Sequence, residues 1–114
     1  MLANKRVRVE YVVMSQLERE LLDQIDDTVQ DVFDLGTRRE AQRREGSRRT
    51  VYEKALKETQ AIAGDGGATA LAQWLQEEIR ENQSFPSGRD VRQRGARICR
   101  ENGHQVSTGS WLGA

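Results

Sequence analysis

The side chains that could act as nucleophile or general base are few in this sequence. His104 is the only histidine, Cys99 is the only cysteine, and Ser107 and Ser110 are hydroxyl groups close to them along the chain. Nucleophilic catalysis needs a nucleophile, a base and a group that orients the base. The spacing requires no such arrangement, and His104 follows Gly103, where a histidine commonly meets the last carbonyl groups of a helix. We therefore expect a protein that is not an enzyme and that uses no cofactor.

Acidic residues offer one arrangement that could bind a cation. Asp23 and Asp27, like Asp27 and Asp31, are four residues apart and would share a helix face. Solvated acids that face an arginine-rich segment explain this pattern better than a metal site does. One cysteine and one histidine are too few ligands for structural zinc. The glycine cluster at 64–67 lacks the Lys-Ser/Thr pair of a phosphate loop, so we expect neither a metal nor a small-molecule substrate.

Charge is arranged in blocks along the chain, although the formal net charge is zero. Acids dominate residues 15–35 and 51–83, whereas arginines dominate residues 36–50 and 87–103. Such alternation favours blocks that meet each other, within the chain or between copies of it, over one continuous nucleic-acid surface.

The elements that would position these groups are mostly helical. The sequence predicts a mainly α, small helical single domain with one N-terminal β-strand and an extended C-terminal tail. In order, we predict a strand in 1–14, an acidic amphipathic helix at 15–35, an arginine-rich connector at 36–50, helices at 51–63, 68–83 and 87–103, and a tail at 104–114. The strand signal is the alternation in "VRVEYVV", which places Val7, Val9 and Tyr11 on one face.

Local signals mark the limits of these helices. Ser15 and Glu18 form a capping box, and Gly36 is the expected terminator of the first helix. The connector is interpreted as a polar helix or arm that is ordered only if the acidic helix or a partner covers it. The cluster at 64–67 is predicted to be a turn. Cys99 falls on the apolar side of the last helix, where we expect a small buried hydrophobe.

The last predicted helix supports a nucleic-acid hypothesis. It carries Arg89, Arg92, Arg94, Arg97 and Arg100, which could contact several phosphates with a salt-dependent affinity. Together with the residues that follow, it resembles a helix-turn-helix in outline, with a second helix starting at Ser107. Only about 12 Å of helix would fit between Ser107 and Ala114. The sequence therefore gives little support to recognition of bases in the major groove, and the DNA-binding hypothesis is better stated as auxiliary contact with DNA.

The terminal segments support an assembly hypothesis. The stretch "QVSTGSWL", residues 105–112, is similar to the Val-Ser/Asp-Thr-Gly-x-Leu segment that follows a helix in small tail-completion or minor structural proteins of tailed viruses. Their short strand and leucine-patterned helix also look like "VRVEYVV" and residues 17–35. The resemblance implies a non-enzymatic, ring-forming role in joining head to tail. The predicted assembly contacts are Val7, Val9, Tyr11, Val106, Thr108, Trp111 and Leu112, with Trp111 as the aromatic anchor.

The sequence-level expectation is therefore a non-catalytic assembly or adaptor protein that associates with copies of itself or with other structural proteins. The alternative is a small DNA-binding protein. No apolar run approaches the roughly 20 residues that span a membrane, and "MLANKRVRVE" lacks the hydrophobic region of a signal peptide. We expect a soluble intracellular protein, which would be part of a virion if the viral resemblance holds.

Overall fold

The computed structural model describes residues 15–103, where four helices form the body of the protein. Helix α1 spans Gln16–Val32, α2 spans Arg38–Glu45, α3 spans Arg48–Asn82 and α4 spans Gly88–Glu101. The prediction of a mainly helical domain is confirmed, and none of these helices is long and apolar enough to cross a membrane. The predicted strand and tail, with Val7, Val9, Tyr11, Val106, Thr108, Trp111 and Leu112, lie outside the described residues.

Three of the helices begin at a hydroxyl side chain that accepts a hydrogen bond from the backbone N–H three residues later. The pairs are Ser15 with Glu18, Thr37 with Glu40, and Ser87 with Asp90, each at 3.1 Å. Each cap satisfies an N–H group that the first turn of a helix leaves without an intrahelical partner. The predicted starts of the first and last helices are thereby confirmed, and the cap at Thr37 shows that the predicted connector contains a helix of its own.

Helix α1 ends earlier than the sequence predicts. It stops at Val32 rather than at residue 35, and the residue that turns the chain is Asp34 (φ 55°), not Gly36. The N–H of Leu35 donates to the carbonyl oxygen of Gln30 at 2.8 Å, which closes a Schellman turn. Aspartate visits the left-handed region more readily than most residues do, so the turn forms before the glycine is reached.

Helix α3 bends at Gly64, within the predicted turn at 64–67. Only Gly64 leaves helical geometry (φ 77°, ψ −170°), so the prediction of two helices separated by a four-residue turn is wrong in its width. Gly67 lies within the second half of α3, and a Cβ atom there would lie 2.6 Å from the Cβ of Ala63. The bend therefore depends on two glycines: Gly64 adopts the non-helical backbone angles, and Gly67 allows the close approach to Ala63.

The hydrophobic core lies between α1, both halves of α3, and α4. Its largest fully buried apolar side chains are Leu21, Leu22, Ile25, Tyr52, Leu56, Leu71, Leu75 and Ile79, and α4 adds Val91. Cys99 is also buried, as predicted, and its burial raises the pKa of the thiol. The Tyr52 hydroxyl donates to the carbonyl oxygen of Pro86 at 3.1 Å, which fixes the loop before α4 against α3.

Helix α2 is the polar part of this body. Only two of its residues, Ala41 and Glu45, are buried, and it packs mainly against α1. Of the alternatives that the sequence left open for residues 36–50, the structure shows a polar helix that packs against the acidic helix. Little apolar surface therefore holds α2 in place, and one of its polar contacts with α1 joins Gln42 to the buried Asp26.

Candidate nucleic-acid interface

The acidic face of α1 meets arginines of the following helices. Arg38 of α2 lies 2.6 Å from Asp27 and 3.5 Å from Asp23, and Arg80 of α3 lies 2.7 Å from Asp31. The predicted meeting of charge blocks thus occurs within the chain. Arg38 contacts the two carboxylates that the sequence offered as a cation site. These pairs are exposed and contribute little free energy individually, but they show which arginines already have acidic partners.

A second set of charges is buried between α1, α2 and the start of α3. Asp26 and Glu45 are fully buried side chains, and Asp26 accepts hydrogen bonds from Arg49 and from Gln42, the latter at 3.1 Å. Arg49 lies 3.7 Å from Glu45 and 3.5 Å from Glu53. One guanidinium therefore faces three carboxyl groups, of which two have no exposure to solvent.

The geometry around Glu45 favours its protonated form. Neither of its carboxyl oxygens accepts a hydrogen bond from a described residue. Burial, together with the neighbouring Asp26, raises the pKa of Glu45 to about 9, and the charge of Arg49 offsets this only in part. The neutral carboxyl can donate to Asp26, which leaves one negative charge in the buried pair. A pair of carboxyl groups that shares a proton is also found in hydrolases, but this pair has no access to a substrate and we assign it a structural role.

Helix α4 presents its polar side to solvent. Its buried face carries Val91, Gly95, Ile98 and Cys99. Six residues of this helix are exposed, and four of them, Arg89, Gln93, Arg97 and Arg100, form a stripe with helical spacing; the exposed acids Asp90 and Glu101 lie along one edge of it. This stripe contains three positive charges and one amide with both donor and acceptor groups, so it could contact phosphates and a base edge together.

The structure divides the five arginines that the sequence proposed for nucleic-acid contact. Arg89, Arg97 and Arg100 share the exposed stripe, whereas Arg92 and Arg94 are half-buried at its sides. The guanidinium of Arg94 lies 5.2 Å from the ring centre of Trp74. Arg97 makes an exposed ion pair with Glu101 at 3.4 Å. Three of the five predicted residues are therefore placed together on one accessible face.

Sequence reasoning missed Gln93 as a member of this face. Its spacing from Arg89 and Arg97, four residues in each direction, is visible in the sequence and places it opposite the apolar side of the helix. The predicted contact residues were all charged, and Gln93 is not. The second helix of the proposed helix-turn-helix would start at Ser107, outside the described residues, so the exposed helix itself, α4, is the candidate interface.

A cluster of two phenylalanines and two arginines lies beside the start of α4. The rings of Phe33 and Phe85 stack with centres 5.5 Å apart and planes inclined by 26°. The guanidinium of Arg44 lies 4.5 Å from the centre of the Phe33 ring, and that of Arg48 lies 6.0 Å from the centre of the Phe85 ring. These residues come from α2, α3 and two loops, and no local sequence signal indicates that they meet.

Other candidate sites are weaker. An open groove of about 360 Å³ is lined by Asp27, Gln30, Asp31, Asp34 and Leu35. Two of its acids already pair with arginines, as described above. Among residues 15–103, no cluster of His, Cys, Asp and Glu is arranged to hold a metal ion. The catalytic candidates His104, Ser107 and Ser110 lie outside the part of the chain that the structure describes.

Comparison with known protein families, with characterised proteins and with solved structures finds no match to this chain.

Proposed function

We propose that this protein is a non-catalytic, nucleic-acid-binding adaptor that contacts the phosphate backbone of duplex DNA through the outer face of α4. The observation that carries the proposal is the exposed stripe of Arg89, Gln93, Arg97 and Arg100 on the side of α4 opposite the core. Arginine suits this role because its planar guanidinium donates two parallel hydrogen bonds to a phosphate.

The dimensions of α4 are compatible with a DNA groove. Arg89 and Arg100 are separated by about 16 Å along the helix axis, and a major groove about 12 Å wide admits a single helix. Gln93 lies between them on the same face and has the amide geometry that pairs with adenine. The stripe therefore favours contacts dominated by phosphates, with Gln93 as the one candidate for contact with a base.

The ion pair between Arg97 and Glu101 does not prevent this role. Both side chains are more than half exposed, and exposed pairs of this kind are worth only about 0–1 kcal/mol. A phosphate can replace the carboxylate at little free-energy cost.

The proposal is tested by fluorescence anisotropy with a labelled 20-base-pair duplex of mixed sequence between 50 and 200 mM NaCl. We expect binding that weakens steeply with salt. In the double variant Arg89→Gln/Arg100→Gln, two phosphate contacts are lost, and the slope of log affinity against log salt should fall in magnitude by about 1.8.

The matched control is the double variant Arg19→Gln/Arg39→Gln. It removes two exposed arginines of α1 and α2, neither of which packs against α4. Its slope should stay close to that of the parent protein. Absence of binding at 50 mM NaCl, or equal losses in the two double variants, would contradict the proposal.

We also keep the assembly role as a proposal, in which the protein joins copies of itself or other structural proteins, such as those of a virion, through Val7, Val9, Tyr11, Val106, Thr108, Trp111 and Leu112. The sequence feature that supports it is the Trp-Leu pair in a tail of small residues. The acidic block 15–35 and the arginine-rich block 36–50 pair within the chain, so this pair of blocks does not itself support contacts between copies. Light scattering should show an oligomer whose mass falls when residues 107–114 are removed; a full-length monomer would contradict this role.

A further inference from the structure

The cluster of Arg44, Phe33, Phe85 and Arg48, hereafter the arginine–phenylalanine stack, has the construction of an anion-binding surface. Both arginines are exposed, and both rings are half-buried. A guanidinium above an aromatic ring is attracted to it through its flat face. Its N–H groups point outward in the plane of the guanidinium, so they remain available to a ligand.

The two arginines of the stack differ from Arg38, Arg49 and Arg80 in the groups that they contact. Arg38, Arg49 and Arg80 each pair with an acid of α1. Among the described residues, Arg44 and Arg48 form no ion pair, and their identified contacts are with the two rings. The stack therefore presents two oriented positive charges whose hydrogen-bonding capacity the fold itself does not use.

The stack adjoins the first turn of α4. Phe85 lies in the loop that leads into α4, and the next residue, Pro86, accepts the hydrogen bond from Tyr52. At the start of α4, a Cβ atom on Gly88 would lie 3.4 Å from a methyl group of Val51, so the two helices touch at this point. Arg48 of α3 and the N-terminal end of the α4 stripe thus lie on neighbouring parts of one surface.

We propose that Arg44 and Arg48 form a second phosphate-binding point, which contacts the backbone of the same DNA duplex that α4 binds. The inference rests on the proposed function of α4 and extends it. The partner is a polyanion with regularly spaced phosphates, because two guanidinium groups beside an arginine stripe match a repeating anion better than a single carboxylate. Phosphate contacts of this kind would set the orientation of the protein on the duplex.

The test uses the same 20-base-pair duplex and salt series with the double variant Arg44→Gln/Arg48→Gln. The magnitude of the salt slope should fall by about 1.8, as expected for two lost phosphate contacts. The double variant Arg44→Lys/Arg48→Lys keeps both charges and should keep the parent slope, with weaker binding because lysine cannot donate in the bidentate manner of arginine. The Arg19→Gln/Arg39→Gln protein is again the matched control, and thermal unfolding of each protein checks that it is folded.

The outcomes separate this inference from the proposed function. If the parent protein binds and the α4 variant is impaired, but Arg44→Gln/Arg48→Gln behaves like the control, the inference is wrong and the proposed function stands. If the parent protein does not bind the duplex at 50 mM NaCl, the proposed function itself is overturned. If the glutamine variant does not fold, the folded lysine variant provides the test. A fall of about 1.8 in the magnitude of its salt slope would overturn the inference, because both charges are still present.

Discussion

Replacing Glu45 with glutamine should remove a pH dependence of stability that is built into the buried carboxyl pair. In the folded protein the pKa of Glu45 is raised from 4.5 to about 9, first by burial and then by Asp26. Between those two pH values the folded state holds one proton more than the unfolded state. The contribution of Glu45 to the free energy of unfolding is therefore highest below pH 4.5 and falls as the pH rises towards 9.

The size of the effect follows from proton linkage. One extra bound proton changes the free energy of unfolding by at most about 1.4 kcal/mol per pH unit, so the loss between pH 6 and pH 8 is at most about 3 kcal/mol. Glutamine has nearly the same shape, cannot ionise, and can still donate a hydrogen bond to Asp26. The Glu45→Gln protein should thus resemble the parent protein near pH 5 and exceed it in stability at pH 8.

The assay is urea unfolding followed by circular dichroism at pH 5, 6, 7 and 8. Glu77→Gln is the matched control, because Glu77 is an exposed glutamate of α3. A Glu45→Gln protein whose stability falls with pH as steeply as that of the parent would refute the reasoning.

Three further predictions concern the fold and can be measured by the same urea unfolding at pH 7. Gly67→Ala should destabilise the protein by about 1–3 kcal/mol, because the new methyl group overlaps the side chain of Ala63. In the control Gly66→Ala the new methyl group meets nothing within 4 Å, so the change should be neutral or stabilising by up to about 1 kcal/mol. Equal effects of the two substitutions would argue against the close approach of residues 63 and 67. Ser87→Ala removes the cap of α4 and should cost about 1 kcal/mol, so an unchanged stability would show that this cap is dispensable. Ile25→Ala empties a fully buried site and should cost about 2–5 kcal/mol; a loss below about 1 kcal/mol would place this residue outside the packed core.

Much of the helical framework could be predicted because its signals are local. Ser15 and Ser87 each cap a helix by accepting a hydrogen bond from the N–H three residues later. The buried side of α4 follows from the spacing of its apolar residues. The end of α1 was missed because two turn formers, Asp34 and Gly36, lie close together, and the sequence does not show which of them adopts the left-handed conformation.

The buried carboxyl pair and the arginine–phenylalanine stack were harder to predict because their residues are brought together over long distances in the chain. The sequence indicates that acidic and basic blocks pair, but not that Asp26 and Glu45 are the buried members while Asp23 and Asp27 stay exposed. The arginine–phenylalanine stack joins four separate segments, and its rings become neighbours only after α1 and α3 pack. Its existence is a consequence of tertiary structure and not of any motif.

Helix α2 has little apolar contact with the body of the protein, since Ala41 and Glu45 are its only buried residues. We therefore expect it to open as a separate unit, at a lower free energy than that of global unfolding. Arg44 belongs to this unit. A polyanion that holds Arg44 would therefore bind the closed form of α2 preferentially and slow the exchange of its amide hydrogens, so that ligand occupancy and the local order of this helix are thermodynamically linked.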